Sequence, residues 1–217
     1  MIDDIIIIKK AHRVKASIIV DHVNSLPNRS IIGIQGISGV GKTEIGMLVR
    51  QELYERNKTS FLISLDDWYV TDFRDRYRIR KKKGLSYIGL KEIDWKSVCQ
   101  VLRNFKHMST ELEIQQISKC AETFVESTVY RADKINYLII EGLYVGYLKT
   151  KKLLDFCVHL EGEPSQTLRF RRERMKEDEF SEFRQQVVRR EAEVVRELKK
   201  FADLVIPYRE VKDNTPR

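Results

Sequence analysis

Apolar residues near the start of the chain recur every three to four positions. Ile7, Ala11, Val14 and Ile18 are separated by Lys9, Lys10, Arg13 and Lys15. This period predicts a helix over about 9–25 that lays one stripe on a core. Leu26-Pro27-Asn28 ends it. The pattern then changes to short β-branched runs. Ser30–Gln35, Ser60–Leu65, Tyr137–Ile140, Phe156–Leu160 and Asp203–Pro207 each read as a buried strand. Helical spacing runs from Lys42 to about Arg56, returns near 94–106 and 111–130, and continues through a charged stretch at 165–200. Between 70 and 90 no period is visible. Strands that are apolar on both faces and separated by helices predict a mainly parallel five-stranded sheet covered on both sides. No repeat or low-complexity linker interrupts the chain.

Composition narrows the class. The chain has 217 residues, 40 of them basic and 32 acidic, for a net charge of +8. That length suits one large domain, or one domain with an inserted arm, and can bury a core without disulfide or metal staples. Hydrophobic residues at 42% and charged residues at 33% fit a globular chain, not a disordered one. No apolar run approaches the ~20 residues of a membrane helix. Asp3 and Asp4 stand where a secretory leader carries positive charge, so a cytoplasmic protein is expected. Cys99, Cys120 and Cys157 lie far apart, in no metal-ligand spacing, and read as reduced, buried thiols.

The positive charge is concentrated. Residues 74–83 read Arg-Asp-Arg-Tyr-Arg-Ile-Arg-Lys-Lys-Lys, and 169–176 read Arg-Phe-Arg-Arg-Glu-Arg-Met-Lys. So many like charges repel one another unless an anion neutralises them, which points to a polyanionic partner.

The strongest motif is Gly36-Ile37-Ser38-Gly39-Val40-Gly41-Lys42-Thr43, a full match to Gly-x-x-x-x-Gly-Lys-Ser/Thr between a predicted strand and a predicted helix. A chance match in such a chain is on the order of one in a hundred. The glycines let backbone N–H groups turn inward as an anion nest, and the helix N-terminus points at the same phosphates. Lys42 supplies a cation for the β- and γ-phosphates, and Thr43 offers a hydroxyl to Mg²⁺.

Two acids follow the second strand, in Ser64-Leu65-Asp66-Asp67-Trp68-Tyr69. The carboxyl edge of a parallel sheet is where ligands bind. A carboxylate there can take the proton of an attacking hydroxyl. Asp66 is the first candidate, as base or metal ligand, with Asp67 as alternative base or helix cap. Trp68 and Tyr69 are packing residues or a wall of the acceptor pocket. Glu141, the first charge after the third strand, can hold Mg²⁺. In Leu168–Arg174, Arg171 and Arg174 lie three apart on one helical face, suited to a lid that clamps the transferring phosphoryl group. Arg172 is a third member.

Taken together, Ile32–Thr43, Ile63–Tyr69, Ile139–Gly142, Leu168–Arg174 and Ala202–Pro207 resemble the uridine kinase/phosphoribulokinase family of P-loop kinases. The resemblance implies a three-layer α/β/α P-loop fold with a helical lid. The chain is then one kinase domain over 1–217, with an N-terminal helix in 1–29, an acceptor arm over about 70–130 and a lid over about 165–180. It also implies ATP and Mg²⁺, transfer to a hydroxyl, Asp66 as base, and lid arginines on the phosphates. The adenine is then held by the lid region and the loop near Pro207-Tyr208-Arg209. Family members phosphorylate uridine, pantothenate, glycerate or nicotinamide riboside.

The acceptor-reading stretches depart from that pattern. Where uridine kinases carry a stretch resembling Phe-Asp-His-Pro, the nearest text is Tyr87-Ile88-Gly89-Leu90-Lys91-Glu92-Ile93-Asp94-Trp95, without the His-Pro, and Met175 falls where the family often has Asp. Tyr87, Asp94 and Trp95 are the candidate acceptor contacts. A nucleoside such as uridine or cytidine leads the acceptor list, ahead of other small metabolites. A kinase of nucleic acid and a non-catalytic nucleotide-binding regulator are the alternatives. No Asn-Lys-x-Asp stretch occurs, which disfavours a guanine switch.

Overall fold

A computed structural model describes residues 6–107, 110–117, 125–173 and 181–208. The elements in chain order are α1 (Lys10–Val23), β1 (Ser30–Gly36), α2 (Lys42–Glu55), β2 (Ser60–Ser64), α3 (Phe73–Lys83), α4 (Trp95–Lys106), β3 (Glu111–Ile117), β4 (Val125–Arg131), β5 (Tyr137–Gly142), α5 (Tyr147–Thr150), β6 (Phe156–Leu160), α6 (Pro164–Glu173), α7 (Glu182–Leu198) and β7 (Leu204–Ile206).

Five strands form one sheet in the order β2-β5-β1-β6-β7. Every pairing in it is parallel. All residues of β1 and β5 are buried, as expected of strands covered on both faces. β1 is central, with later strands on either side of it. The loop that leaves its carboxyl end therefore sits at the switch point of the sheet, where ligands bind. Cys99 and Cys157 are free and buried, as expected; Cys120 lies outside the described residues. Among the described residues no helix is long and apolar enough to cross a membrane.

Four sequence expectations need correction. Helix α1 forms where its period predicts, but Val14 and Ile18 are exposed. The buried face is Ala16, Ile19, Val20 and Val23, with Lys15. It packs beside α2, where Ser17 Oγ donates to Glu52 Oε1 at 3.1 Å. The stripe was misread because the stems of the lysines hid which side of a mixed helix is dry.

The stretch without apolar period contains α3. Asp72 caps it by accepting from Arg74 N at 2.9 Å. Four basic residues fill its last turn, where they complement the helix dipole. A helix held by its cap and its charges shows little hydrophobic period.

The stretch 111–130 is not helical. β3 and β4 pair antiparallel, Leu112 opposite Tyr130 and Ile114 opposite Thr128. Leu112 and Ile114 are buried and alternate with exposed Glu111 and Glu113. That period of two was the missed signal. Finally, the charged stretch at 165–200 is two helices, α6 and α7, rather than one; 174–180 lie outside the described residues.

Candidate active site

The glycine turn runs from the end of β1 into α2. Gly39 has φ 80° and Gly41 φ 93°, the left-handed region that disfavours side chains. Gly41 is the N-cap of α2, so the first N–H groups of that helix and its positive dipole end face the loop. Ser38 is half-buried and Val40 buried within the turn. Lys42 Nζ donates to Ile37 O at 3.0 Å, which folds the ammonium back over the loop.

Sheet register assembles the acids. Glu141 pairs with Ile34 of β1 on one side and with Ser64 of β2 on the other. Thr43 Oγ1 donates to Glu141 Oε1 at 3.2 Å, and Ser64 Oγ donates to the same oxygen at 2.9 Å. Burial pushes the Glu141 carboxyl up; the Lys42 ammonium opposes the shift and the Asp66 carboxylate adds to it. Glu141, Lys42 and Asp66 thus sit within one another's fields.

Asp66 lies on a single 3₁₀ turn, Leu65–Trp68, that starts where β2 ends. Ser64 Oγ also accepts from Asp66 N at 3.4 Å. Asp66 is half-buried, whereas Asp67, Trp68 and Tyr69 are buried. Of the two acids, Asp66 is therefore the one more open to a ligand. Gly142 lies against this turn so closely that an added Cβ would be 2.5 Å from Leu65 Cβ. A hydroxyl, Thr43, and two carboxylates, Glu141 and Asp66, form an oxygen donor set. It suits a hard divalent cation that takes its remaining ligands from phosphate and water. Among the described residues no cluster of three or more His, Cys, Asp or Glu would hold a metal on its own.

Helix α6 packs on the loop from above. A Cβ at Gly39 would be 2.9 Å from Arg171 Cγ and 3.1 Å from Thr167 O. Arg171 is buried, and its guanidinium donates to Pro164 O at 3.0 Å and to Thr167 Oγ1 at 2.5 Å. Arg172 is exposed on the same helix. Arg174 lies outside the described residues.

Other candidates are engaged within the protein. Asp94 caps α4, accepting from Ser97 N at 3.2 Å and from Ser97 Oγ at 2.6 Å, and these bonds hold its carboxyl below the usual range. Trp95 Nε1 donates to Leu90 O at 2.7 Å. Tyr87 is half-buried under Lys83 Nζ, 4.1 Å from its ring. Arg76 stacks 3.6 Å over the ring of Tyr69.

The basic block on α3 meets the protein's own acids. Arg74 pairs with Asp72 and Arg78 with Asp75. Arg80 is buried between Glu92 at 2.6 Å and Glu191 at 2.9 Å. Three of the block's seven basic residues thus meet acids of the chain, while Lys81, Lys82 and Lys83 are exposed.

Two residues near the site had no sequence signal. His12 of α1 reaches the loop: a Cβ at Gly41 would be 2.7 Å from its Nε2. Its Nδ1 accepts from Lys9 N at 3.3 Å, which leaves the proton of a neutral ring on Nε2. Lys9 Nζ lies 3.5 Å over the ring of Phe170 on α6. The N-terminal helix thus touches both the loop and the helix above it. The second residue is Tyr144, three positions past Glu141 and fully buried.

Known proteins resemble this arrangement. Over 191 residues the chain is 29% identical to a bifunctional alpha-galactosidase/sucrose kinase of Mediterraneibacter gnavus, covering 82% of this chain and 20% of that one. The chain thus spans about a fifth of the length of this curated relative. A candidate fructose transport system kinase from Silicibacter has a similar solved structure, with TM-score 0.66 at 14% identity over 90% of this chain and 98% of the other. A possible uridine kinase from Bacillus stearothermophilus gives 0.63 at 19%, over 89% and 98%. A D-glycerate 3-kinase from Cryptococcus neoformans gives 0.56 at 15%, over 88% of each chain. At these identities the structures show a shared fold. The Phosphoribulokinase / Uridine kinase family itself matches residues 31–209, so the chain belongs to that family of ATP-using P-loop kinases.

Proposed function

We propose that this kinase moves the γ-phosphate of ATP to a hydroxyl of a small polyhydroxylated molecule, with Asp66 as the general base. The observation that carries this reading is the hydrogen-bonded chain Thr43–Glu141–Ser64, which ties the glycine turn to the two strand ends and brings Asp66 beside it.

In this reading residues 36–43 wrap the triphosphate. Lys42 leaves Ile37 O to meet the outer phosphates, and the α2 N-terminus and Lys42 offset charge as it shifts toward the leaving oxygen. Thr43 and Glu141, with Asp66 alongside, hold Mg²⁺, which supplies charge neutralisation on the phosphate oxygens. Asp66 accepts the proton of the acceptor hydroxyl as its oxygen attacks. Arg171, Arg172 and Arg174, on or beyond α6, form a lid that keeps water from competing. The arm over about 70–130 provides the acceptor side, with Asp67, Tyr69 and Tyr87 around it, while Asp94 is engaged as the cap of α4.

A sugar stands ahead of a nucleoside as acceptor. The sequence-based expectation put uridine or cytidine first. However, the segment where a base would be read is occupied with its own contacts: Asp94 caps a helix, Trp95 is bonded to Leu90, and Glu92 holds Arg80. The relative whose name includes a sucrose kinase spans 82% of this chain, which also favours a sugar. The internal pairing of Arg74, Arg78 and Arg80 leaves less of the basic block for a nucleic-acid substrate.

The test is ADP release from ATP and Mg²⁺ in the presence of sucrose, fructose, glycerate, uridine or cytidine. Acceptor-stimulated turnover with one of them is expected, abolished in Asp66→Asn while ATP affinity stays within a few-fold. Turnover with none of them, or an Asp66→Asn variant as active as the parent, refutes the reading.

A further inference from the structure

Beside the Asp66 turn lies a buried polar patch whose charges are matched but whose hydrogen bonds are not. Arg80 donates to both carboxylate oxygens of Glu92, at 2.6 and 3.0 Å, and pairs with Glu191. Arg184 completes the group, 3.9 Å from Glu191. Tyr69 and Tyr144 lie in the field of this cluster, and Asp66 acts on Tyr69 in turn. The ion pairs are closed on themselves. The Tyr144 hydroxyl, on a side chain with no exposed surface, has no hydrogen-bond partner among the described residues. Thr71 Oγ1 and Arg76 Nε, both on the segment that follows Asp66, are likewise buried without a partner among the described residues.

An orphaned buried hydroxyl costs about 1–3 kcal/mol of folding free energy, and native proteins rarely keep one without a use. A phenylalanine would fill the same space at no such penalty. The hydroxyl belongs to the loop that leaves β5 just past Glu141, and so to the same end of the sheet as the reacting groups. The Arg76 guanidinium stacks 3.6 Å over the face of Tyr69. It lies half-buried against the patch, on a long side chain with several rotatable bonds.

We propose that the Tyr144 hydroxyl is the specificity element of the acceptor site, bonding a second hydroxyl of the acceptor while Asp66 takes the reacting one. Arg76 swings off Tyr69 on entry and supplies a further donor. The site thereby selects molecules with at least two hydroxyls placed a short distance apart, the chemistry shared by a sugar and by the ribose of a nucleoside. This inference rests on the kinase reading above and adds the acceptor class to it.

The experiment is Tyr144→Phe, assayed with whichever of sucrose, fructose, glycerate, uridine and cytidine the parent turns over best, and with that compound's deoxy analogues. Sugar and nucleoside arms separate the two sources of the diol. Without ligands, the variant should melt no lower than the parent, and up to several degrees higher. Its KM for the acceptor should rise about tenfold or more, with KM for ATP unchanged. The parent's discrimination against one deoxy analogue should vanish. A lower melting temperature, which would mean that ordered water or protein satisfies the hydroxyl, overturns the inference, and so does an unchanged acceptor KM. A parent enzyme that turns over no hydroxyl compound refutes the kinase reading instead, and the ligand-free melting comparison still reads the hydroxyl's state.

Discussion

The Thr43 hydroxyl and the Glu141 carboxylate meet at 3.2 Å although 98 residues separate them. This contact joins the first turn of α2 to the end of β5. Glu141 is 3% exposed, and burial pushes its carboxyl up. Glu141→Gln keeps an oxygen that can accept from Thr43 and Ser64, and it removes the buried charge. The variant should therefore fold at least as stably as the parent without ligands. If Glu141 holds Mg²⁺, the variant should need about tenfold more Mg²⁺ for half-maximal activity. A Mg²⁺ titration of ADP release, beside a melting curve, checks both expectations.

Gly41 is constrained twice. Its φ of 93° is strained for any side chain, and a Cβ would sit 2.7 Å from His12 Nε2. Gly41→Ala should destabilise the protein by about 1–3 kcal/mol and weaken ATP binding strongly, because the loop must shift. Adding His12→Ala removes the clash and leaves the backbone strain. The double variant should recover part of the lost melting temperature. Full recovery would show that sterics alone required the glycine.

His159 makes the fold sensitive to acid. Gln35 Nε2 donates to its Nδ1 at 3.2 Å, while Gln35 also bonds Leu198 O and Gly146 N. The ring must stay neutral to accept that bond. Burial, then the Lys199 ammonium, lower its pKa from 6.5 to about 4. Between these values the unfolded chain carries more protons than the folded one, so stability falls as pH drops from about 6.5 to about 4. The loss is of order 2 kcal/mol after allowing for solvent screening. Denaturant titrations at several pH values should show this slope, and His159→Gln should flatten it.

The basic block divides into one buried arginine, Arg80, a half-buried one, Arg76, and an exposed remainder. Arg80→Met strips the buried Glu92 of its bidentate partner and leaves Glu191 with the longer Arg184 pair at 3.9 Å. It should cost about 3–5 kcal/mol, or roughly 10 °C in melting temperature. Lys81→Met and Lys82→Met, at the next two positions and both exposed, should stay within about 0.5 kcal/mol. Equal losses across the three variants would contradict a buried role for Arg80.

The parallel sheet and the phosphate loop were legible because their signals are local. A strand buried on both faces must be apolar throughout, as Ile31–Ile34 and Leu138–Ile140 are, and a turn that needs positive φ must carry glycine, as at 39 and 41. Helix α3 and the 111–131 hairpin were not legible. The first is fixed by a cap and by end charges rather than by a dry face. The second shows its alternation clearly only at Leu112 and Ile114, too short a run to outweigh the helical spacing around it.

The residues themselves determined a glycine-rich turn of the P-loop pattern, two acids at neighbouring strand ends and the family to which the chain belongs. Only tertiary structure decided that Glu141 accepts from both Thr43 and Ser64, that Arg80 is buried between Glu92 and Glu191, that His12 leans on Gly41, and that the Tyr144 hydroxyl is buried with no bond among the described residues. Each of these depends on which side chains a distant segment places within bonding range. Sheet register and helix packing set those distances, and no spacing along the chain encodes them.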